Sequence, residues 1–289
     1  MYTRARTWLF VPGGDDAALD VAPESGADVL IQELEDFTPP DLRPHARSRA
    51  ERLYDTWRAA GVLATVRINP LAGDGLDDLA AVMKGRPDAV HLPKVRDPQD
   101  IIALDAGITR LEDTLGIAPG TTKIVPNLET ARGIMQTYAI ATCSPRVTAL
   151  LCATEDLALD LGAPRTRDGG ELAYCRQRMH VEATAAGALS IDCPYTFSDA
   201  DGCRADTLYG RSLGYRAKAA IAPHQAPIVT EVLTPGAAEI AQAQAVIAAF
   251  EAARQKGRDR AELDGHLVEV PSYTSALQLI ERARALGVI

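Results

Sequence analysis

The chain has 289 residues, of which 47% are hydrophobic and 24% charged, and its formal net charge is −9. This composition is that of a globular protein able to bury a large core, so disorder is not expected. The negative charge argues against nucleic acid as a partner, because affinity for phosphate backbones comes from clustered Lys and Arg. Length alone allows one large domain or two.

The N-terminal segment predicts no membrane anchor. Its first apolar run stops at Pro12 and is too short for a signal-peptide core or a membrane span. The five cysteines form no CxxC pair, and we expect them to be small buried groups in a reduced, cytoplasmic protein. Neither a membrane nor a disulfide framework is therefore predicted.

Eight short apolar runs follow one another along the chain, each succeeded by a longer stretch with helical spacing. The runs cover residues 7–12, 29–36, 64–69, 89–95, 123–129, 147–154, 189–196 and 217–223. The intervening stretches, such as 44–61 and 75–85, are long enough for right-handed crossovers. The eight runs are therefore predicted to be parallel strands.

Eight parallel β/α units close naturally into a TIM (β/α)8 barrel. A doubly wound open sheet is the rival fold, but the turn after the first strand, FVPGGDD, lacks the GxGxxG pattern of dinucleotide-binding sheets. The predicted fold class is thus α/β, with a barrel over residues 1–225.

Residues 226–289 are predicted to form a C-terminal helical extension within a single-domain protein. Helical spacing covers HQAPIVTEVL, AAEIAQAQAVIAAFEAARQKG and SYTSALQLIERARAL, and the acidic stretch ELDGHLVEVP is predicted to be a turn. This extension is available to pack on the barrel, as a lid over its mouth, or on a neighbouring subunit.

Polar residues cluster at the predicted strand ends, where TIM barrels place their catalytic groups. These residues are Glu35, Asp36, Arg67, Asn69, Lys94, Glu129, Glu155, Asp156, His224 and Gln225. Five carboxylates at one barrel mouth repel one another unless a cation lies among them or some are protonated. Mg²⁺ prefers oxygen ligands, and Glu129 and Asp156 on adjacent strands are the predicted pair; no histidine cluster suggests zinc.

Each of these residues also has a structural interpretation. Acids in the first turn of a helix interact favourably with its dipole, and Arg67 can form a buried pair with Glu35. Lys94 suggests a Schiff-base aldolase, which needs a lysine whose pKa is lowered by desolvation. His91, inside a predicted strand, is expected to be a satisfied interior residue rather than a base.

Across nearly its whole length the sequence resembles the citrate lyase β-subunit-like (CitE-like) branch of the HpcH/HpaI aldolase family. The segments that carry the resemblance appear in the family's order: RTWLFVPG, SGADVLIQELED, VRINP, LPKV, NLETARG, ATEDLALDLG, SIDCPYT, IAPHQ and LDGHLVEVP. Nine segments in order are specific, although a single one such as VRIN is weak.

The resemblance implies a Mg²⁺-dependent TIM-barrel lyase, usually a homo-oligomer such as a trimer or hexamer. Its substrates would be citryl, malyl or citramalyl thioesters of coenzyme A or of an acyl carrier protein, cleaved to a 2-oxo acid and an acetyl thioester. An aldolase acting on free 2-oxo acids and a catalytically degenerate lyase subunit are the alternatives.

The resemblance also assigns roles to residues. Glu129 and Asp156 would hold the metal, and Arg67 would bind the oxo acid or the developing oxyanion. Glu35 and Asp36 would order a water and the arginine, and Glu269, from the C-terminal LDG motif, would join the catalytic group. The substrate-binding set is Arg67, Glu129, Thr154 and Glu155.

Five places differ from the residues usual in that family. QELED stands for LDLED, so Glu33 replaces an aspartate, and ATED stands for GAED, which makes Thr154 bulkier. IAPHQ stands for IHPxQ, Glu269 replaces an aspartate, and Asn127 occupies a position that is usually apolar.

Overall fold

The computed structural model describes residues 2–289 and divides them into two compact units. Ala5–Leu233 form one unit, and the other combines the N-terminal residues through Arg4 with Thr234–Ile289. The division falls after Leu233, later than the boundary expected at residue 225, because the helix Gln225–Leu233 packs with the barrel through Val229 and Leu233. Packing of the extension on the barrel or on a neighbouring subunit stays a prediction.

The first unit is a TIM barrel, as predicted. Eight parallel strands close in sequence order, with β8 paired to β1. The strands are β1 Thr7–Pro12, β2 Val29–Glu33, β3 Leu63–Arg67, β4 Ala89–Leu92, β5 Lys123–Leu128, β6 Ala149–Cys152, β7 Leu189–Asp192 and β8 Ala217–Ala220. Seven of the eight predicted runs contain their strand, and β3 begins one residue before its run. After the first, the strands end earlier than the runs, because buried residues continue past the last ladder hydrogen bond into the loops.

Helices follow the strands around the barrel. They are α1 Asp16–Val21, α2 Arg43–Ala59, α3 Gly75–Val82, α4 Pro98–Leu115, α5 Ala131–Met135, α6 Thr137–Thr142, α7 Glu155–Asp160, α8 Ala173–Ala185, α9 Ala200–Leu213 and α10 Gln225–Leu233. Short 3-10 turns lie at Ala22–Ser25, Met83–Gly85 and Gly170–Leu172. Local signals set some of their ends: α4 begins with a capping box at Asp97 and ends at Gly116 in the left-handed region.

Buried side chains form two layers, one on each face of the barrel strands. Leu30 and Val66 belong to the layer between strands and helices, together with Trp57 of α2. Side chains of the other parity point into the barrel, where the rings of Trp8 and Phe10 contact His91. His91 is fully buried, as predicted for an interior residue, but it is not fully satisfied, because its Nε2 atom has no hydrogen-bond partner.

The second unit is built on α11 Ala237–Gln255 and α12 Val270–Ala285. These helices pack through small and branched residues such as Ala243 and Ile280. The segment predicted to be a turn is instead an antiparallel hairpin, β9 Ala261–Leu263 and β10 His266–Val268. The dipeptide Asp264-Gly265 joins its strands, a frequent hairpin connection that the sequence analysis overlooked.

Two negative findings concern residues 2–289. No helix in this range combines the length and apolarity that crossing a bilayer requires. The cysteines there are all free, and four of the five are buried, as expected for small packing groups.

Candidate active site

A cavity of about 380 Å³ opens at the carboxyl ends of the barrel strands. Its lining combines apolar walls with five of the ten polar residues predicted at the strand ends. The lining residues are Phe10, Asp36, Phe37, Arg67, Asn127, Glu129, Leu151, Ala153, Thr154, Glu155, Asp156, Arg165, Pro194, Thr196, Phe197 and Ile221. The topology of the barrel therefore brings strand ends that are distant in sequence to one concave site.

Arg67 is the central cation of this cavity. Its guanidinium lies 2.9 Å from Glu33 Oε1, 3.3 Å from Glu35 Oε2 and 3.8 Å from Glu129 Oε1. The rings of Phe10 and Phe37 lie 5.0 Å and 5.6 Å from its Cζ. These contacts hold the fork in one orientation, and the three carboxylates outweigh burial in raising the pKa of Arg67.

Glu33 holds the side chain of Arg67 in position. Its carboxylate is fully buried and accepts hydrogen bonds from Arg67 Nε at 3.0 Å and from the backbone N–H groups of Glu35 and Phe37. Burial raises the pKa of Glu33, and Arg67 opposes that rise. The closest carboxylate to Arg67 is thus Glu33 rather than Glu35, the partner considered from the sequence.

Glu129 directly follows β5 and is fully buried, yet both carboxylate oxygens lack a hydrogen-bond partner. Burial raises its pKa to about 8; Arg67 lowers it, while Glu35 and Asp156 raise it further. A carboxylate without hydrogen bonds at such depth is expensive, and Arg67 at 3.8 Å is its nearest cation, so its position is suited to binding a metal cation that completes its coordination.

Lys94 bridges the acidic residues of the mouth. Its Nζ lies 2.7 Å from Glu35, 3.6 Å from Asp36 and 3.9 Å from Asp156. These carboxylates raise its pKa against the opposing effect of burial, so the amine stays protonated. A Schiff-base nucleophile needs the opposite shift, so the surroundings of Lys94 argue against the Schiff-base alternative.

The charges of the cavity leave room for a divalent cation. Arg67 and Lys94 lie among the carboxyl groups of Glu33, Glu35, Asp36, Glu129 and Asp156, while the third cation, Arg165, pairs with Glu155 at the rim. Within residues 2–289 no cluster of three or more His, Cys, Asp and Glu side chains forms a metal site. Two carboxylates, with water and substrate oxygens completing the shell, are what Mg²⁺ typically uses.

The chain is similar in sequence to a known protein family. A family model described as HpcH/HpaI aldolase/citrate lyase matches residues 6–223. The chain belongs to the HpcH/HpaI aldolase/citrate lyase family. As a member of this lyase family, it is an enzyme.

Relatives within the HpcH/HpaI family extend the match to almost the whole chain. Citrate lyase subunit beta of Leuconostoc mesenteroides is 33% identical over 97% of this chain and 93% of its own. A (3S)-malyl-CoA thioesterase of Cereibacter sphaeroides is 32% identical over 98% and 95%. The structure of CitE from Mycobacterium tuberculosis, in complex with magnesium, acetoacetate and coenzyme A, matches with a TM-score of 0.77 and 26% identity over 98% of this chain and 100% of that one.

The residues predicted for this HpcH/HpaI site differ in their surroundings. Arg67, Glu35 and Glu129 are buried together, and Thr154 is buried in the cavity wall. Asp36 and Asp156 lie at the more exposed mouth, and Glu155 faces solvent while accepting from Arg165. The cavity lining comes entirely from the barrel unit; Glu269 lies in the other unit, exposed, at the start of α12.

Two contributors escaped the sequence analysis. In the sequence Glu33 stands out only as a substitution, although its spacing of two from Glu35 predicts that both side chains share one face of the run 29–36; the strand itself ends at Glu33. Arg165 follows α7 in a loop and binds Glu155, Glu171 and Thr196 at the cavity rim. No local pattern marks Arg165, because its role depends on a loop conformation.

Glu129 gives the metal-free protein a defined pH dependence. Its pKa is raised from 4.5 to about 8, so the folded chain holds this proton more tightly than the unfolded chain. The stabilisation is complete below about pH 4.5 and is lost as the pH rises through about 8. Relative to Glu129→Gln, the unfolding free energy of the wild type should fall by about 4 kcal/mol between about pH 5 and pH 9.

Urea unfolding of both proteins in EDTA, across this pH range, measures the difference. A constant difference would show that Glu129 titrates in the folded protein as it does in the unfolded chain.

Proposed function

We propose that this protein is a Mg²⁺-dependent carbon–carbon lyase acting on a short hydroxy-dicarboxylyl thioester of the citryl-, malyl- or citramalyl-CoA type. The products are a 2-oxo acid and an acetyl thioester, and the reverse reaction forms the same bond. The observation that carries the proposal is Glu129, a fully buried carboxylate with two unpartnered oxygens facing Arg67.

Glu129 and Asp156 are the residues proposed to hold Mg²⁺. The magnesium in the CitE complex and the deficit of positive charge in this cavity support that assignment. When bound, Mg²⁺ supplies Lewis-acid polarisation of the substrate's hydroxyl and carboxylate oxygens.

Cleavage requires three things of the protein. The hydroxyl proton of the substrate must leave, the carbon–carbon bond must break, and its electron pair must pass to the thioester as an enolate that is then protonated on carbon. Arg67 places a fixed positive charge where oxygen charge develops, and Glu33 holds that charge in position. The buried Phe10 and the partly exposed Phe37 flank the guanidinium with their rings.

Proton movement is assigned to carboxylates near the mouth. Asp36 lines the cavity, and about half of its side chain is exposed, so it can exchange a proton with solvent. Glu35, held by Lys94 at 2.7 Å, orders the arginine and a water beside the reacting carbon. Glu269 is proposed to assist, and the partners are proposed to be a 2-oxo acid and coenzyme A or an acyl carrier protein in a homo-oligomer.

A substrate screen tests the function. Malyl-, citramalyl- and citryl-CoA should release acetyl-CoA with Mg²⁺ and give no product in EDTA. Turnover of free hydroxy-oxo acids in place of all three thioesters would favour the aldolase alternative. Absence of turnover on either class, with no Mg²⁺ binding, would indicate a degenerate lyase subunit.

A further inference from the structure

Asn127 is the polar group at the inner end of the cavity that the proposed mechanism leaves unused. It lies on β5, is fully buried and lines the cavity. Its register partner on β6 is Leu151, and Phe10 and Ile221 form other parts of the lining. The amide is therefore a polar element among apolar side chains.

The oxygen of this amide has a hydrogen-bond partner, and its nitrogen has none. The Oδ1 atom of Asn127 lies 3.4 Å from Nδ1 of His91, while its Nδ2 has no hydrogen-bond partner. Burial lowers the pKa of His91 to about 3, so the imidazole is neutral and carries a single N–H. Because the amide oxygen can only accept, Nδ1 carries the hydrogen and donates it to Asn127 Oδ1. The other ring nitrogen, Nε2, then carries no hydrogen, and it has no hydrogen-bond partner.

The rings around His91 keep this pair in place. The Trp8 ring lies 5.7 Å and the Phe10 ring 6.4 Å from the imidazole, both edge-on. His91 is thereby prevented from turning away, and Asn127 presents its N–H groups rather than its oxygen. A buried donor without an acceptor is costly, and a ligand oxygen at this place would satisfy it.

We propose that Asn127 determines substrate specificity by donating a hydrogen bond to an uncharged oxygen, a hydroxyl or carbonyl, on the substituent of the 2-oxo acid. This inference rests on the proposed function, because it assumes that an oxo acid occupies the cavity. Within the proposed class of hydroxy-dicarboxylyl thioesters, the preferred oxo acid thus carries such an oxygen on its substituent; pyruvate from a citramalyl thioester and oxaloacetate from a citryl thioester are expected to bind less tightly.

An uncharged oxygen fits better than a second carboxylate. Asn127 supplies a neutral donor, and Glu129, which directly follows the same strand, is a buried acid whose oxygens have no hydrogen-bond partner. Arg67 is already surrounded by Glu33, Glu35 and Glu129. A further buried anion beside Asn127 would therefore lack a counter-charge of its own.

The test compares two oxo acids of nearly equal size. Hydroxypyruvate and 2-oxobutanoate differ by a hydroxyl in place of a methyl group, so their relative affinity isolates the hydrogen bond. With Mg²⁺ present, calorimetry on the wild type should show hydroxypyruvate binding about tenfold more tightly or better. Asn127→Leu should remove this preference by weakening hydroxypyruvate while leaving 2-oxobutanoate bound at least as well.

Two further variants make the result specific. Leu151→Met, in the register-paired wall position, should retain the preference, which separates the amide from cavity shape. Asn127→Ala provides a second test if the leucine variant does not fold. Oxaloacetate serves as the charged probe, and a preference for it over hydroxypyruvate that depends on Asn127 would overturn the choice of an uncharged oxygen.

The remaining outcomes separate the two proposals. If both acids bind the wild type equally, the inference is overturned and the proposed function stands. If neither these two acids nor oxaloacetate binds in the presence of Mg²⁺, the proposed function fails and the inference fails with it.

Discussion

Replacing Arg67 with methionine should lower kcat/KM for thioester cleavage by about 10³-fold or more. The side chain supplies the fixed positive charge nearest to the proposed reacting oxygen, and it is held by Glu33 and two phenylalanine rings. A water molecule in its place would carry no net charge and would have to reorient during the reaction, whereas the guanidinium is already charged and oriented. Single-turnover cleavage of the preferred thioester measures the loss.

The same substitution should also destabilise the fold, since Glu33 would remain buried without its cation. Breaking a buried pair in this way typically costs about 3–5 kcal/mol. Arg67→Lys is the matched control, because it keeps the charge but loses the two-pronged contact to Glu33. We expect an intermediate rate and near-normal stability; a lysine variant as active as the wild type would contradict the role given to the guanidinium geometry.

Glu129→Gln and Asp156→Asn should each lower Mg²⁺-dependent cleavage by about 10³-fold or more. Their effects on stability should differ, because Glu129 is fully buried without a hydrogen-bond partner, whereas the side chain of Asp156 is 35% exposed. Removing the charge of Glu129 should raise the unfolding free energy of the metal-free protein above about pH 8. Asp156→Asn should change it little.

A single preparation of each variant allows both measurements, of cleavage rate against Mg²⁺ concentration and of urea unfolding in EDTA. Full activity in both variants would refute the metal assignment. A Glu129→Gln protein that is inactive but less stable than the wild type at high pH would indicate a structural role for Glu129.

The barrel could be predicted from the sequence because its signal is local. Runs of branched apolar residues mark strands, and intervening segments of sufficient length require parallel crossovers. The ends of the strands are harder to predict. The strand within the run 189–196 ends at Asp192, but Cys193 and Tyr195 are still buried in the loop that follows, so the apolar run is longer than the strand.

Within the site, the predicted residues were those whose charge is expensive to bury. Arg67 and Glu129 stand out in apolar runs, whereas the contacts of Glu33 and Arg165 depend on side chains far away in sequence. Lys94 is the clearest case in which the sequence position alone does not determine the chemistry of a residue. Its position in the sequence suits an aldolase lysine, but its surroundings of Glu35, Asp36 and Asp156 raise its pKa.

Lys94 also carries a backbone feature that the sequence did not suggest. Its φ of 54° lies in the left-handed region, which costs a non-glycine residue about 1 kcal/mol or more. The ion pairs to Glu35 and Asp36 fix its side chain over the mouth and offset that cost. Only the folded barrel assembles these partners.

Calorimetric titration of Mg²⁺ into the metal-free protein, with a saturating 2-oxo acid, tests the central claim most directly. The arrangement of Glu129 and Asp156 predicts one ion bound per chain in the wild type and none in either Glu129→Gln or Asp156→Asn. Stoichiometric Mg²⁺ binding that survives both substitutions would contradict it.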